Sequence, residues 1–144
     1  MKRRLGLVLV LVLGVGLTAT ACTRVVDVRT TSEIRPMRYA IVEVTHVLAA
    51  DSAMAYAKRA LASENIKLIR EEPATGTVEG GPVRIAAEGD QPSLDATVTI
   101  TSNVQGTAGK FRVYASGVLP AGAVGGVDAR LTALVRRISE RIGP

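Results

Sequence analysis

The chain has 144 residues, of which 47% are hydrophobic and 3% aromatic. This length is enough for one domain and too short for two, and the composition predicts a core of aliphatic side chains. Its formal net charge is +5, and three of the 18 cations are Lys2, Arg3 and Arg4 at the start of the chain. Without these three, 15 cations face 13 anions, which gives a net charge of +2. We therefore assign the basic excess to a targeting segment and exclude nucleic acid as the expected partner.

The first residues have the three parts of an export signal. Lys2-Arg3-Arg4 is a positive segment, residues 5–17 form an apolar run, and Ala19-x-Ala21 is a small-residue cleavage site. The apolar run is shorter than the roughly 20 residues that a membrane-spanning helix needs. The sequence therefore predicts a signal peptide over residues 1–21, with cleavage before Cys22.

The stretch Ala19-Thr20-Ala21-Cys22 resembles the lipobox of bacterial lipoproteins, with Ala19 where that family prefers Leu. The resemblance implies that Cys22 receives a diacylglycerol and an N-acyl chain such as palmitate, which would anchor the protein in a membrane. In enterobacterial lipoproteins, an aspartate directly after the cysteine retains the protein at the inner membrane. This chain has Thr23 at that position, so the resemblance favours the periplasmic side of the outer membrane in a diderm organism. Secretion with a free thiol and an uncleaved anchor remain as alternatives, because an ordinary signal peptidase would cut the same bond.

The mature chain divides into a tether and one domain. Residues 22–38 are predicted to form a polar tether that Pro36 interrupts, and residues 39–144 a single α+β domain. The tether carries four arginines against two acidic residues, which suits contact with anionic headgroups.

The first half of the domain follows the periodicities of strands and of one helix. In chain order the sequence predicts a strand (39–48), a helix (52–65), a strand, turn and strand (66–81) and a further short strand (83–87). We expect Asp51 or Ser52 to cap the helix, and Asn65 to adopt the left-handed conformation that ends it.

The second half contains the clearest patterns. Apolar side chains alternate with polar ones over residues 93–101 and again over 110–116, on either side of a turn at 105–109, which predicts an antiparallel hairpin with one wet face. A helical stripe predicts a last helix from Val127, and its members are Val127, Leu131, Leu134, Val135, Ile138 and Ile142. The expected fold is an antiparallel sheet of four to five strands with two helices packed on one face, in the order β-α-β-β-β-β-α.

The segment from His46 to Gly81, HVLAADSAMAYAKRALASENIKLIREEPATGTVEGG, resembles a pattern found in small envelope lipoproteins such as the barrel-assembly C-subunit family. In that pattern a strand and a helix lead into a strand that ends in a short turn before a glycine and a hydrophobic residue. The resemblance implies a helix-on-sheet domain that binds other proteins or envelope components. It brings no catalytic residues to this chain.

The sequence predicts no catalytic, metal or cofactor site. His46 is the single histidine and lies in a strand without a second histidine or an available cysteine, so we assign it a structural role. Glu71 and Glu72 are neighbours in a strand and point to opposite faces, which does not suit an acid–base pair. The acidic stretch 88–95 lacks the spacing of a calcium loop, and the glycine-rich segment 122–126 lacks a phosphate-binding lysine.

Two surfaces are candidate binding sites. Arg112 and Tyr114 are predicted to share the wet face of the hairpin with threonines, a composition that suits protein contact. Arg130, Arg137 and Arg141 fall within about 40° of one another on the last helix, where they would meet anionic lipid, glycan or an acidic partner. Each surface also has the composition of an ordinary solvated face.

These patterns lead to one principal expectation about function. We expect a non-enzymatic envelope lipoprotein without a cofactor, anchored through the lipid on Cys22 and acting as a binding or accessory module for another envelope protein. The alternative is a carrier of a small apolar or lipid ligand, because a core without large aromatic side chains leaves room for a cavity. A hydrolase of cell-wall material is less supported, since no acid–base pair or metal cluster is visible.

Overall fold

A computed structural model describes residues 36–120 and 122–144 of the chain. The predicted signal peptide, Cys22 and residues 22–35 of the predicted tether lie outside these residues. The described part contains one mixed six-stranded sheet and two helices. The predicted α+β class is therefore confirmed.

The sheet has the strand order β2-β3-β4-β5-β1-β6. The strands are β1 (Met37–Val47), β2 (Leu68–Glu72), β3 (Thr77–Ile85), β4 (Leu94–Gln105), β5 (Ala108–Val118) and β6 (Gly126–Val127). The helices are α1 (Ala53–Ser63) and α2 (Ala129–Arg141), and short 3-10 turns occur at Ala50–Ser52 and Pro73–Thr75. All neighbouring strands are antiparallel except β1 and β6, which are parallel.

The sheet differs from the prediction in four respects. It is mixed and not wholly antiparallel, because β6 runs parallel to β1. It has six strands rather than four or five, because the two-residue strand β6 is too short to leave a period in the sequence. Residues 83–85 continue β3 across an irregularity between Gly80 and Val83 instead of forming a strand of their own. Strand β1 begins at Met37, two residues before the predicted start of the domain.

The predicted hairpin is confirmed as β4 and β5. Gln105 pairs with Ala108, so that Gly106 and Thr107 alone form the turn. The alternation predicted from the sequence appears as alternate burial along both strands, and the buried side chains are Leu94, Ala96, Val98, Ile100, Phe111, Val113 and Ala115. One face of the hairpin therefore belongs to the core.

Both helices cover this buried face of the sheet. Helix α2 packs across β1 and β5, and α1 packs against β2, β3, β4 and α2. The two helices bury these side chains: Ala53, Ala57, Ala60 and Leu61 from α1, and Leu131, Leu134, Val135 and Ile138 from α2. Val127 is a correction to the predicted stripe, because it lies in β6 and is 65% exposed.

The two helices begin differently from the prediction. Ser52 follows a 3-10 turn and has helical dihedral angles (φ −85°, ψ −17°), so it makes no side-chain cap, because capping requires an extended residue. Asp128 has the extended geometry (φ −115°, ψ 122°), and its carboxylate accepts the N–H groups of Arg130 and Leu131 at the start of α2. Asn65 has a positive φ of 57°, which confirms the predicted left-handed residue.

Two turn glycines provide a matched test of backbone packing. Gly76 and Gly106 have similar positive φ values of 65° and 62°, but their surroundings differ. A Cβ at Gly76 would collide with the carbonyl oxygen of Ser102 and lie 2.8 Å from its Oγ, whereas a Cβ at Gly106 would meet nothing within 4 Å. We expect Gly76→Ala to lower the free energy of unfolding by about 2–3 kcal/mol and Gly106→Ala by about 1 kcal/mol. Urea denaturation of both variants checks this, and equal losses would contradict it.

Candidate functional site

The sheet face opposite the helices is the candidate functional site. Side chains alternate along a strand, so β1, β4 and β5 each direct every second side chain to this face. We call the following six residues, all exposed or half-exposed, the open face: Ile41, Glu43, Thr99, Thr101, Arg112 and Tyr114. The structure thus places Arg112 and Tyr114 on one face with the threonines of β4.

The strand register arranges the open face in two rows. Tyr114 lies between Ile41 of β1 and Thr99 of β4. Arg112 lies between Glu43 of β1 and Thr101 of β4 in the next row. Neighbouring strands are about 4.8 Å apart, so each row brings three side chains within contact of a single ligand surface.

The charges of the open face leave its arginine accessible. Glu43 Oε2 lies 3.1 Å from Lys110 Nζ, and both side chains are about half exposed, so this pair contributes little to stability. Within residues 36–120 and 122–144, no carboxylate lies within ion-pair distance of Arg112. The Arg112 guanidinium therefore keeps its hydrogen-bond donors for water or for a bound partner.

Arg130, which the sequence predicts to share an exposed side of the last helix with Arg137 and Arg141, is largely buried. Only 9% of its side chain is exposed. Its Nε and Nη2 donate to Asp128 Oδ1 and Oδ2 at 3.1 and 2.9 Å, and Nη1 donates to the carbonyl oxygens of Ala86 (2.7 Å) and Pro92 (2.9 Å). Arg130 therefore joins the 86–92 loop to the start of α2, and we leave it out of the candidate site.

Asp128 occupies the helix terminus that follows the glycine-rich segment 122–126. The carboxylate is fully buried, and hydrogen bonds from the Arg130 side chain lower its pKa despite the opposing effect of burial. Its backbone N–H also donates to the Tyr39 carbonyl oxygen at 3.1 Å, which joins α2 to β1. The position that an external anion would take at a helix N-terminus is filled by this carboxylate.

Arg137 and Arg141 lie together at the other end of α2. Arg137 Nε is 3.2 Å from Glu64 Oε2. These three residues and Glu140 line a shallow depression of about 290 Å³. Two guanidinium groups and two carboxylates balance in charge, so this depression attracts anions less than the sequence pattern alone indicates.

His46 is half-buried on the helix-covered face of β1. Its ring meets Phe111 edge to face, with 6.2 Å between centroids and an angle of 64°. Its Nε2 atom is buried and has no hydrogen-bond partner among the described residues. This packing fits a structural role for His46.

Among the described residues, no three His, Cys, Asp or Glu side chains come together in a way that would hold a metal ion. Neither helix of the described part is long and apolar enough to cross a membrane. Comparison of the sequence with protein-family models and with curated proteins finds no match.

Proposed function

We propose that this protein is a membrane-anchored envelope lipoprotein that acts without catalysis by binding a protein partner through the open face. The anchoring part is supported by the sequence Ala19-Thr20-Ala21-Cys22. One structural observation carries the binding part: a sheet face on which an exposed Arg112 and a half-exposed Tyr114 stand among side chains from three strands. The proposed site of action is the periplasmic side of the outer membrane in a diderm organism.

The composition of the open face supports a protein partner. Tyrosine and arginine are enriched in protein interfaces, where one such side chain can supply much of the binding energy. Tyr114 offers a large, rigid surface next to Ile41, and Arg112 offers planar donors to a carboxylate or carbonyl. We expect a partner whose contact surface is apolar beside Tyr114 and acidic beside Arg112.

No observation of the described core supports the alternative function, a carrier of a small apolar or lipid ligand. Ala57 and Ala60 of α1 are fully buried, and such small side chains let the helix lie close to the sheet. A Cβ at Gly80 in β3 would be 2.8 Å from the Ile66 side chain and 3.2 Å from that of Leu61. The space between this helix and the sheet is therefore filled by the chain itself.

The intact mass of the mature protein tests the anchor. We expect the protein purified from its native host to begin at Cys22 and to carry a diacylglycerol and an acyl group. Cys22→Ser should lose that added mass, because serine lacks the thiol that accepts the lipid. A mature chain that begins at Cys22 without lipid would overturn the anchor and indicate a freely secreted domain.

Cross-linking in intact cells tests the binding surface. We expect Arg112→Glu to reduce the recovery of the cross-linked partner by at least about tenfold, as interface hot-spot residues do. Arg136→Glu is the matched control, since Arg136 is exposed on α2, on the helix-covered side of the sheet. Recovery of no partner above background, or an equal loss for both charge reversals, would contradict the proposal.

A further inference from the structure

Exposed apolar side chains cluster where the chain enters the sheet. Met37 and Tyr39 of β1, Val118 of β5 and Val127 of β6 are between 39% and 65% exposed. Val124, in the segment before β6, is 79% exposed. We call these five residues the apolar rim.

The apolar rim is one patch and not a set of scattered side chains. Val118 is the register partner of Met37, and Val127 is that of Tyr39, so neighbouring strands place them side by side. Val124 is held nearby, because Gly125 packs on β1 so closely that a Cβ there would lie 2.7 Å from the Met37 carbonyl oxygen. Single exposed apolar residues are ordinary, but a contiguous patch indicates a contact surface.

The rim lies at the junction between the domain and the chain that leads back to Cys22. Pro36 precedes Met37, and its carbonyl oxygen accepts the Leu119 N–H at 3.0 Å, which fixes the point where the chain leaves the domain. In the predicted mature chain, fourteen residues, 22–35, precede Pro36, and Cys22 is the first of them. Whatever path they follow, they span at most about 50 Å. A lipid on Cys22 would thus be connected to the domain at its rim end.

The opposite end of β1 has a different character. Val47 is 83% exposed there, about 34 Å from Met37 at the rise of a strand. Its register partner is Ala108, and the preceding pair on the same face is Thr45 and Lys110. The register neighbours of Val47 on this face are thus small, polar or charged, whereas the register partner of Val127 is the aromatic side chain of Tyr39.

We propose that the apolar rim rests in the interfacial region of the bilayer that holds the lipidated cysteine. Tyrosine is enriched at this level of a membrane, and exposed apolar side chains partition into the boundary between headgroups and acyl chains. The rim is small, so the contact needs the lipid anchor, and this inference rests on the proposed function in that respect. The contact orients the domain, with the rim on the membrane and the far end of β1 directed away from it.

Single tryptophan probes test this orientation, because the chain contains no tryptophan. Val127→Trp and Val124→Trp place the probe at two exposed rim positions, and Val47→Trp is the matched control at the other end of β1. Each full-length protein is produced in a lipidating bacterial host and reconstituted into vesicles of phosphatidylethanolamine and phosphatidylglycerol, with and without brominated acyl chains. We expect the brominated lipid to remove about half of the emission at either rim position and little at the control position.

The outcomes separate the rim from the anchor. Equal quenching at the rim and control positions, or no quenching at either rim position, overturns the rim contact. The intact mass of each sample is measured in parallel. Lipidated protein with unquenched rim probes overturns the rim contact alone, while a sample without lipid overturns the anchor and the rim contact with it. The second rim variant preserves the test if Val127→Trp disturbs β6.

Discussion

Replacing Asp128 with alanine is expected to lower the free energy of unfolding by about 3–5 kcal/mol, as the loss of one partner of a buried ion pair generally does. The Asp128 carboxylate accepts the backbone N–H groups of Arg130 (2.9 Å) and Leu131 (3.4 Å) and binds the Arg130 guanidinium, with 2.9 Å between Nη2 and Oδ2. Alanine would leave both the helix terminus and the largely buried cation without their partner. Urea denaturation followed by circular dichroism measures the loss.

Two further variants divide this effect into its parts. Asp128→Asn keeps an oxygen that can cap the helix but removes the charge, so we expect an intermediate loss. Asp95→Ala breaks an exposed ion pair with Arg84, in which the two atoms are 3.0 Å apart, and should cost less than about 1 kcal/mol. An Asp128→Ala loss as small as that of Asp95→Ala would show that the buried pair does not stabilise the domain.

The same carboxylate gives the domain a defined acid sensitivity. Hydrogen bonds from Arg130 hold the pKa of Asp128 below its ordinary value in the folded protein, whereas the unfolded chain restores the ordinary pKa of about 3.9. The contribution of Asp128 to stability is therefore complete above the unfolded-state pKa and is lost as the pH falls through the lower folded-state pKa. As the pH falls below about 5, the wild-type protein should therefore lose stability more steeply than Asp128→Asn.

Replacing Phe111 with alanine is expected to lower the free energy of unfolding by about 3–5 kcal/mol. Phe111 is the only phenylalanine of the chain and is fully buried in the middle of the sheet. Alanine would leave a cavity beneath α2 and remove the edge-to-face contact with His46, which contributes about 0.5–1.5 kcal/mol in such pairs. Guanidinium denaturation provides the measurement.

Phe111→Leu is the matched control for this cavity. Leucine fills most of the same volume, so we expect a loss of less than about 1.5 kcal/mol. Val118→Ala, at the exposed end of the same strand, should change stability by less than about 0.5 kcal/mol. If Phe111→Ala were no less stable than Phe111→Leu, the core would have to collapse around the missing ring.

Patterns that depend on one local period could be predicted from the sequence. The alternation over β4 and β5 and the apolar stripe of α2 are such patterns, because each element has one buried face and the burial repeats with the geometry of the element. The same reasoning located Arg112 and Tyr114 on one face of a strand. It also identified Asn65, since asparagine tolerates a left-handed backbone better than most residues.

Features that depend on distant partners could not be predicted. The position of Arg130 in the sequence predicts its angle around α2. It does not predict that the 86–92 loop covers this side chain. Ile41 and Glu43 join the open face only because β1 lies beside β5, and no local period reports which strands become neighbours. Asp128 carried a signal that was missed, since an aspartate just before an apolar helical stripe is a common helix cap.

The placement of β1 also determines the order in which the sheet can assemble. Met37 pairs with Val118 and Val47 with Ala108, so the partners of this strand follow it by 61 to 81 positions along the chain. Its other neighbour, β6, ends at Val127, only a few residues before the last helix. Closing such long loops delays folding. During synthesis from the amino terminus, the first strand of the domain to be made therefore waits unpaired until nearly the whole domain has followed it.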